Sequence, residues 1–339
     1  MVEDPRVRGR TSVSHPSRSG GRTLCRELAG LVILVAILFP PRANGSGEPP
    51  DQDQDHGHDH DHGHDHGHDH EGAAALELFE RMVEYNLDNP AVLPSTAIDA
   101  FMAGIAERPL GERIGAWARF WLTQGDIAYV YGRSPGGYVT QGRLAQDFAT
   151  DCVLFMYRTT ELARSGTATE AAQFAFGTRF YGAITEQVVR PDGRVTYDDT
   201  SHLEYAEDMA KSGIWGADVT RDCGESVTDA VGSSRTPPDT LRYVPRDKID
   251  YSALREGDLV WFVGDESRPG AIEQRMQGTL LHHLGILVRD GEEVSLIHPA
   301  AVPLSGVYDR TGVVRVPLRT YLQRVDRFKG IVVTRLVDF

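Results

Sequence analysis

Apolar residues recur at helical spacing through residues 75–125, and from residue 259 onward they give way to short β-rich runs. The helical series is Leu76, Leu78, Phe79, Met82 and Val83, then Ile98, Phe101, Met102 and Ile105, then Ile114, Trp117, Phe120 and Trp121. It predicts two or three helices. The β-rich runs are 259–263, 284–288, 294–297, 313–316 and 331–337, each set off by Gly, Pro or Asp. Between the two regions lie a Gly-rich stretch, 132–142, and a helix predicted over 152–164, capped by Thr150 or Asp151 and ended at Gly166. Its opening Val153-Leu154-Phe155-Met156 is apolar on nearly every side, so burial is expected. Helices first and strands later predict an α+β fold rather than alternating βαβ units.

The residues upstream of about 73 have another character. Residues 1–27 are mostly polar and carry Arg6, Arg8, Arg10, Arg18, Arg22 and Arg26; residues 28–39 carry no charged or polar side chain, and Pro40-Pro41 follows. A basic leader, a short apolar run and small residues beyond it describe an export signal. The run is shorter than the roughly 18–20 residues of a spanning helix. A cleaved signal comes first, an uncleaved anchor second and a cytosolic chain that only mimics a signal last, with membrane contact only in the second case. The expected location is outside the cytoplasm, in the periplasm or cell envelope.

Residues 51–70 hold eight of the chain's 13 histidines: His56, His58, His60, His62, His64, His66, His68 and His70, alternating with Asp and Gly. Imidazoles bind borderline metals such as Zn, Ni or Cu. This spacing describes a flexible multivalent tract, not a fixed tetrahedral site, and the alternative is a solvated linker that happens to chelate. No cofactor is expected in the reaction, because a catalytic metal needs a rigid, shaped site. The formal net charge of −14 argues against nucleic acid as a partner. The expected layout is a signal or anchor over 1–45, a disordered His/Asp tract over 46–72, a helical region over 73–145 and a catalytic domain over 146–339.

Past the tract the chain has two cysteines, Cys152 and Cys223, and four histidines, His202, His282, His283 and His298. Cys152 opens a predicted helix, where unpaired amides and the dipole favour a thiolate and lower the thiol pKa. The competing reading is a buried structural cysteine. Asp290-Gly291 between two β-rich runs is a strong hairpin signal. A two-residue turn there would pair Arg289 with Glu292, Leu287 with Val294 and His283 with His298. That face, with Gly285, Leu287, Val294 and Leu296, would pack on the Cys152 helix, and His282 would point away. Two adjacent imidazoles beside a thiol supply a base and a group that orients it. Cys223 is expected free or structural, since a bond to Cys152 would silence the nucleophile.

These residues also resemble a known group. Asp151-Cys152 looks like the Asp-Cys nucleophile motif of the NlpC/P60 cysteine peptidases. Glu256-Gly257-Asp258-Leu259-Val260-Trp261-Phe262 resembles their Gly-Asp-Leu-Val strand, His283-Leu284-Gly285-Ile286 their His-x-Gly-Ile strand, and Ile297-His298-Pro299-Ala300 stands at their third polar residue. Within that group the chain resembles the DUF1460 family of N-acetylmuramoyl-L-alanine amidase-like proteins. Its insert after the nucleophile helix resembles residues 179–223, and its closing segment resembles Tyr321-Leu322 and residues 329–336. Three places depart: Val153-Leu154-Phe155 replaces a Val-Thr-Phe type stretch, Ser201-His202-Leu203-Glu204-Tyr205 replaces Ser-Arg-x-His-Tyr, and His298-Pro299-Ala300 replaces His-Ala-Ser.

The resemblance implies a papain-like core in which the nucleophile helix packs on an antiparallel sheet. It implies amide hydrolysis on peptidoglycan or muropeptides, with Cys152 as nucleophile, His283 as base and then acid, and His298 orienting it. Asp151, Tyr197, Ser201 and Tyr205 become candidate substrate contacts, with loop packing the alternative for the last three. The rival activities are a γ-D-glutamyl-diamino-acid endopeptidase or a thiol acyltransferase on the same scaffold. A non-enzymatic metal-binding cell-wall protein is the rival from another class.

Overall fold

The computed structural model describes residues 68–125, 127–203, 207–230, 240–265 and 279–337. The expected leader, and the tract up to residue 67, lie outside the described residues. In chain order the first helices are α1 (His68–Leu87), α2 (Ser95–Ile105) and α3 (Leu110–Thr123). Then come β1 (Ala128–Tyr129), α4 (Tyr138–Gln141), β2 (Ala149–Thr150), α5 (Cys152–Ala163), α6 (Ala168–Arg179), α7 (Thr185–Val188) and α8 (Glu207–Lys211). The remainder is mostly strand: β3 (Ala217–Asp218), β4 (Val227–Ala230), β5 (Thr240–Pro245), β6 (Leu259–Gly264), β7 (Leu281–Asp290), β8 (Glu293–Ala300), β9 (Gly312–Pro317), α9 (Leu318–Arg324) and β10 (Phe328–Arg335). Helices precede strands, as the periodicity predicts, and the fold is α+β.

The main sheet runs β4-β5-β10-β6-β7-β8-β9, antiparallel throughout, with β3 also against β10. Alternation sends its two faces into two apolar clusters. Trp261, Leu284, Ile286, Val288, Ile297 and Val332 pack with α5 and the helices before it. Phe262, Leu287, Leu296, Val316 and Ile331 pack with Leu318, Tyr321 and Leu322 of α9.

The hairpin is real but its register differs from the expected one. Asp290 pairs Glu293, so the turn residues are Gly291 and Glu292, and Leu287 faces Leu296 rather than Val294. Gly291 has φ 63°, the positive value that glycine accepts at no steric cost. This register sets Ile286 opposite Ile297 and Leu287 opposite Leu296, matching apolar partners of equal size. The slip is two residues along one strand, so the alternation survives and both histidines keep a common face. That face is not the one expected to meet the nucleophile helix: it lies against α9, and α5 covers the opposite face.

Helix α5 is held from several directions. All of its residues after Cys152 are buried. Arg158 is paired with Asp147 at 2.9 Å and Arg179 of α6 with Glu161 at 2.6 Å, all four side chains being almost fully buried. Removing one partner of such a pair costs about 3–5 kcal/mol, because the other charge stays buried alone. Trp121 of α3 donates to Thr159 at 3.1 Å, and Arg119 pairs with Glu256 just ahead of β6. Helices α1–α3 thus share one core with α5 and the sheet.

Candidate active site

Cys152 is the first residue of α5 and is partly exposed. Asp151 is the N-cap: its Oδ1 accepts the Leu154 N–H at 2.8 Å and its Oδ2 the Gly132 N–H at 2.8 Å. One carboxylate therefore closes the helix start and ties the Gly-rich loop to it. It is 2 % exposed, which makes it an architectural group of the site rather than an open substrate contact.

His283 and His298 meet as the sequence suggests, by a different route. Phe262 is the β6 partner of His283, and the rings stack with centroids 5.8 Å apart. Carried past the paired residues, the observed hairpin register sets Gly285 against His298. A Cβ on Gly285 would come within 3.0 Å of the His298 Cβ and 2.6 Å of Leu296, so only glycine allows this approach. The two histidines are then diagonal rather than direct neighbours, and Nε2 of His283 lies 2.8 Å from Nδ1 of His298. That Nδ1 is also 3.2 Å from the carbonyl oxygen of Pro299. Tyr321 of α9 backs both rings, with centroids 4.8 Å from His298 and 6.4 Å from His283.

The sulfur is tied to β7 through the backbone, next in sequence to His283. The paired stretch of β7 and β8 ends at Ile286–Ile297. The next hydrogen-bonded position sets Leu284 against Pro299, whose nitrogen carries no hydrogen, so reciprocal pairing cannot continue. The Leu284 N–H, next in sequence to His283, stands among the backbone donors that favour a charged Cys152 sulfur, beside those of Cys152 and Val153. No hydrogen bond joins that sulfur to either imidazole among the described contacts.

Electrostatics correct one expectation. Burial pushes the Cys152 thiol well above its ordinary pKa, Asp151 adds to the rise, and the three backbone N–H groups only oppose it. Desolvation of the anion outweighs the helix terminus. Burial also drives His283 well below the ordinary histidine value, with His298 and Arg327 acting the same way. His298 is pushed down to about 3 by burial, with the Pro299 carbonyl opposing and Arg327 assisting. Both rings are therefore neutral at neutral pH.

This has a consequence for stability. A histidine whose pKa falls on folding binds more protons when unfolded, at any pH between its folded value and about 6.5. Its stabilisation is complete above about 6.5 and is lost as pH falls. The unfolding free energy is expected to drop by up to about 1.4 kcal/mol per pH unit for each ring below that point. Urea midpoints at pH 7 and pH 5 measure it; equal midpoints would mean the rings are not buried as neutral groups.

The candidate substrate contacts separate. Tyr197 is 3 % exposed; its hydroxyl accepts from Arg179 at 2.9 Å and donates to the Arg143 carbonyl at 2.7 Å. It packs among Tyr138, Phe180 and His202 and lines no open wall. The Ser201 N–H and hydroxyl both donate to Asp199, closing a local turn. Tyr205 lies outside the described residues, as do His56, His58, His60, His62, His64 and His66, while His68 and His70 fall in the first turn of α1. Among the described residues no group of three or more His, Cys, Asp or Glu side chains is placed to hold a metal ion. Cys223 is a free, buried thiol, as expected.

Two site neighbours have no sequence signal of their own. Tyr129 pairs with Thr150 in the short parallel β1–β2 contact, beside Asp151. Burial raises its phenol, and the Cys152 charge is the next cause. Tyr321 is likewise raised, first by burial and then by Tyr308, with Arg327 opposing and Cys152 a smaller cause. A long-range parallel pairing places Tyr129 against the short strand that leads into α5, and a helix near the end of the chain places Tyr321 against the histidine rings.

No family model matches this chain, and no curated protein matches it. Among solved structures it is similar to a DUF1460 protein of Legionella pneumophila str. Philadelphia 1, at 14% identity and a TM-score of 0.51, over 72% of this chain and 94% of that one. It is also similar to an N-acetylmuramoyl-L-alanine amidase from Bacteroides uniformis ATCC 8492, at 18% identity and a TM-score of 0.47, over 68% of this chain and 99% of that one. The first similarity shows the fold: this chain shares the α+β architecture of a DUF1460 protein.

Proposed function

We propose that this protein is an exported cysteine hydrolase of the NlpC/P60 type, which cleaves the amide between N-acetylmuramate and L-Ala in peptidoglycan or its fragments. The observation that carries the hydrolase reading is one neighbourhood holding a helix-start cysteine, the amide beside His283, and the 2.8 Å His283–His298 contact. The motif resemblance supports the choice of bond, and the α+β fold shared with a DUF1460 protein agrees with the scaffold it implies.

With Nε2 of His283 turned to His298, its Nδ1 is the nitrogen free to serve the thiol. For Nδ1 to accept the thiol proton, Nε2 carries the ring's own proton and donates it to Nδ1 of His298. His298 then holds its proton on Nε2, a buried atom with no hydrogen-bond partner among the described residues. As Cys152 attacks the carbonyl carbon, its proton passes to His283. The resulting oxyanion faces the helix start, where the Cys152 N–H is a donor; such donors are worth about 2.7–4 kcal/mol each. Collapse breaks the C–N bond, and His283 returns the proton to the departing amine. A water, deprotonated by His283, then cleaves the thioester and regenerates the thiol. A neutral thiol beside a neutral imidazole is the resting state, and catalytic hydrogen bonds often tighten only when substrate excludes water.

Incubation with purified muropeptides, followed by product mass analysis, tests this reading. Release of a free disaccharide and an intact peptide is expected. A cut stem peptide would replace it with the endopeptidase, and no product would remove the hydrolase.

The tract of residues 51–70 binds Zn, Ni or Cu in this reading and takes no part in the reaction. Deleting it is expected to leave turnover unchanged and to abolish most metal uptake, measured by equilibrium dialysis. A deleted protein without turnover would tie the metal to the chemistry.

A further inference from the structure

Glu207 opens α8 and is 2 % exposed. Its Oε1 accepts two successive backbone N–H groups, those of Leu280 and Leu281, the second at 3.1 Å. These amides lie at the entrance of β7, three and two residues ahead of His283. The entrance is irregular. Against β6 the register shifts between Phe262–His283 and Val263–Leu281, which leaves His282 as an extra residue, a β-bulge. On the β8 side the paired stretch begins only at Ile286. Regular pairing therefore does not fix this end of the strand by itself. Gly264 holds it from β6, through its N–H to the Leu280 carbonyl at 2.8 Å, and Glu207 holds it from α8.

Helix α8 is seated in turn on the nucleophile helix. The Tyr157 hydroxyl of α5 donates to the Met209 sulfur at 3.6 Å, and both side chains are fully buried. One short helix thus touches the element that carries Cys152 and grips the strand that carries His283. Burial raises the Glu207 carboxyl above its ordinary range, with the Leu280 amide the first group opposing it.

We propose that Glu207 is a positioning residue: through the Leu280 and Leu281 amides it sets the placement of His283 relative to Cys152. The proposal rests on the hydrolase reading of those two residues. A displacement near 1 Å caused away from the chemistry can cost about 10²-fold in rate.

The test compares Glu207→Gln, which keeps an acceptor oxygen at the same reach, with Glu207→Asp, which withdraws it by one methylene. Three quantities are read: kcat and KM on muropeptides, the rate of Cys152 alkylation by iodoacetamide at neutral pH, and the urea midpoint. Glu207→Gln is expected to stay within about two-fold of the unsubstituted protein. Glu207→Asp is expected to lose about 10- to 100-fold in kcat, with KM nearly unchanged and alkylation altered. A folded Glu207→Asp with unaltered kcat and alkylation would overturn the proposal. Equal loss in Glu207→Gln would also overturn it, since the charge and not the acceptor would then matter. Hydrogen exchange on the unsubstituted protein gives a measurement independent of any variant. Leu280 and Leu281 amides as protected as the paired amides of β7 support the grip, and rapid exchange at both rejects it. If the unsubstituted protein cleaves no muropeptide, the hydrolase reading fails, while alkylation and exchange still decide whether Glu207 sets the thiol's surroundings.

Discussion

Replacing Cys152 by Ala is expected to reduce muropeptide hydrolysis by about 10⁴-fold or more, the scale seen when a covalent nucleophile is removed. The fold should survive. Cys152 is partly exposed, and the forces that hold α5 lie elsewhere: in the Asp151 cap, the two buried ion pairs and the apolar face from Leu154 onward. The measurement is turnover beside a urea midpoint. A folded, fully active Cys152→Ala protein would end the thiol mechanism, whatever the fold resembles.

The second large effect belongs to His283. His283→Ala is expected to lose about 10³-fold in kcat, because both the proton acceptor and the later proton donor are gone. His282→Ala provides the control on the same strand. Its ring turns to the Thr279 carbonyl at 2.9 Å and takes no part in the histidine pair, so its loss should stay within a few-fold. Equal losses would place the base elsewhere. The pH profile supplies a further check. A base must be unprotonated to act, and burial holds His283 below the ordinary histidine value. The acid limb of kcat/KM is therefore expected below pH 6.5; a limb above that value would mean His283 is not the buried neutral base.

Much of this was legible without coordinates, for local reasons. The α+β order follows from periodicity, and the five β-rich runs coincide with β6 to β10. The start of α5 follows from Asp151 and the apolar residues behind it. The meeting of His283 and His298 was legible because alternation is tolerant: a register wrong by two residues still leaves both on one face. What failed depended on partners distant in sequence. Which face met α5 was decided by where α9 packs, and α9 follows the whole hairpin. The thiol's acidity was misjudged because a helix terminus is local, whereas burial depends on the surrounding fold. Tyr197 stood as a candidate substrate contact, with loop packing the alternative, because its insert resembles that of the DUF1460 family; its burial beside Arg179 at the end of α6 favours packing.

What the sequence by itself determined is the chemical inventory and its local framing. It supplies a cysteine capped into a helix start, two histidines in phase on adjoining strands, a glycine where their approach needs one and a proline that stops the pairing. Tertiary structure alone decided what surrounds them: the burial that keeps both imidazoles neutral, Tyr321 against their rings, and Glu207 gripping the entrance of β7. The division has one physical cause. Hydrogen bonds and steric alternation act between near neighbours and are written in residue order, whereas desolvation and long-range packing depend on which distant segments close over the site.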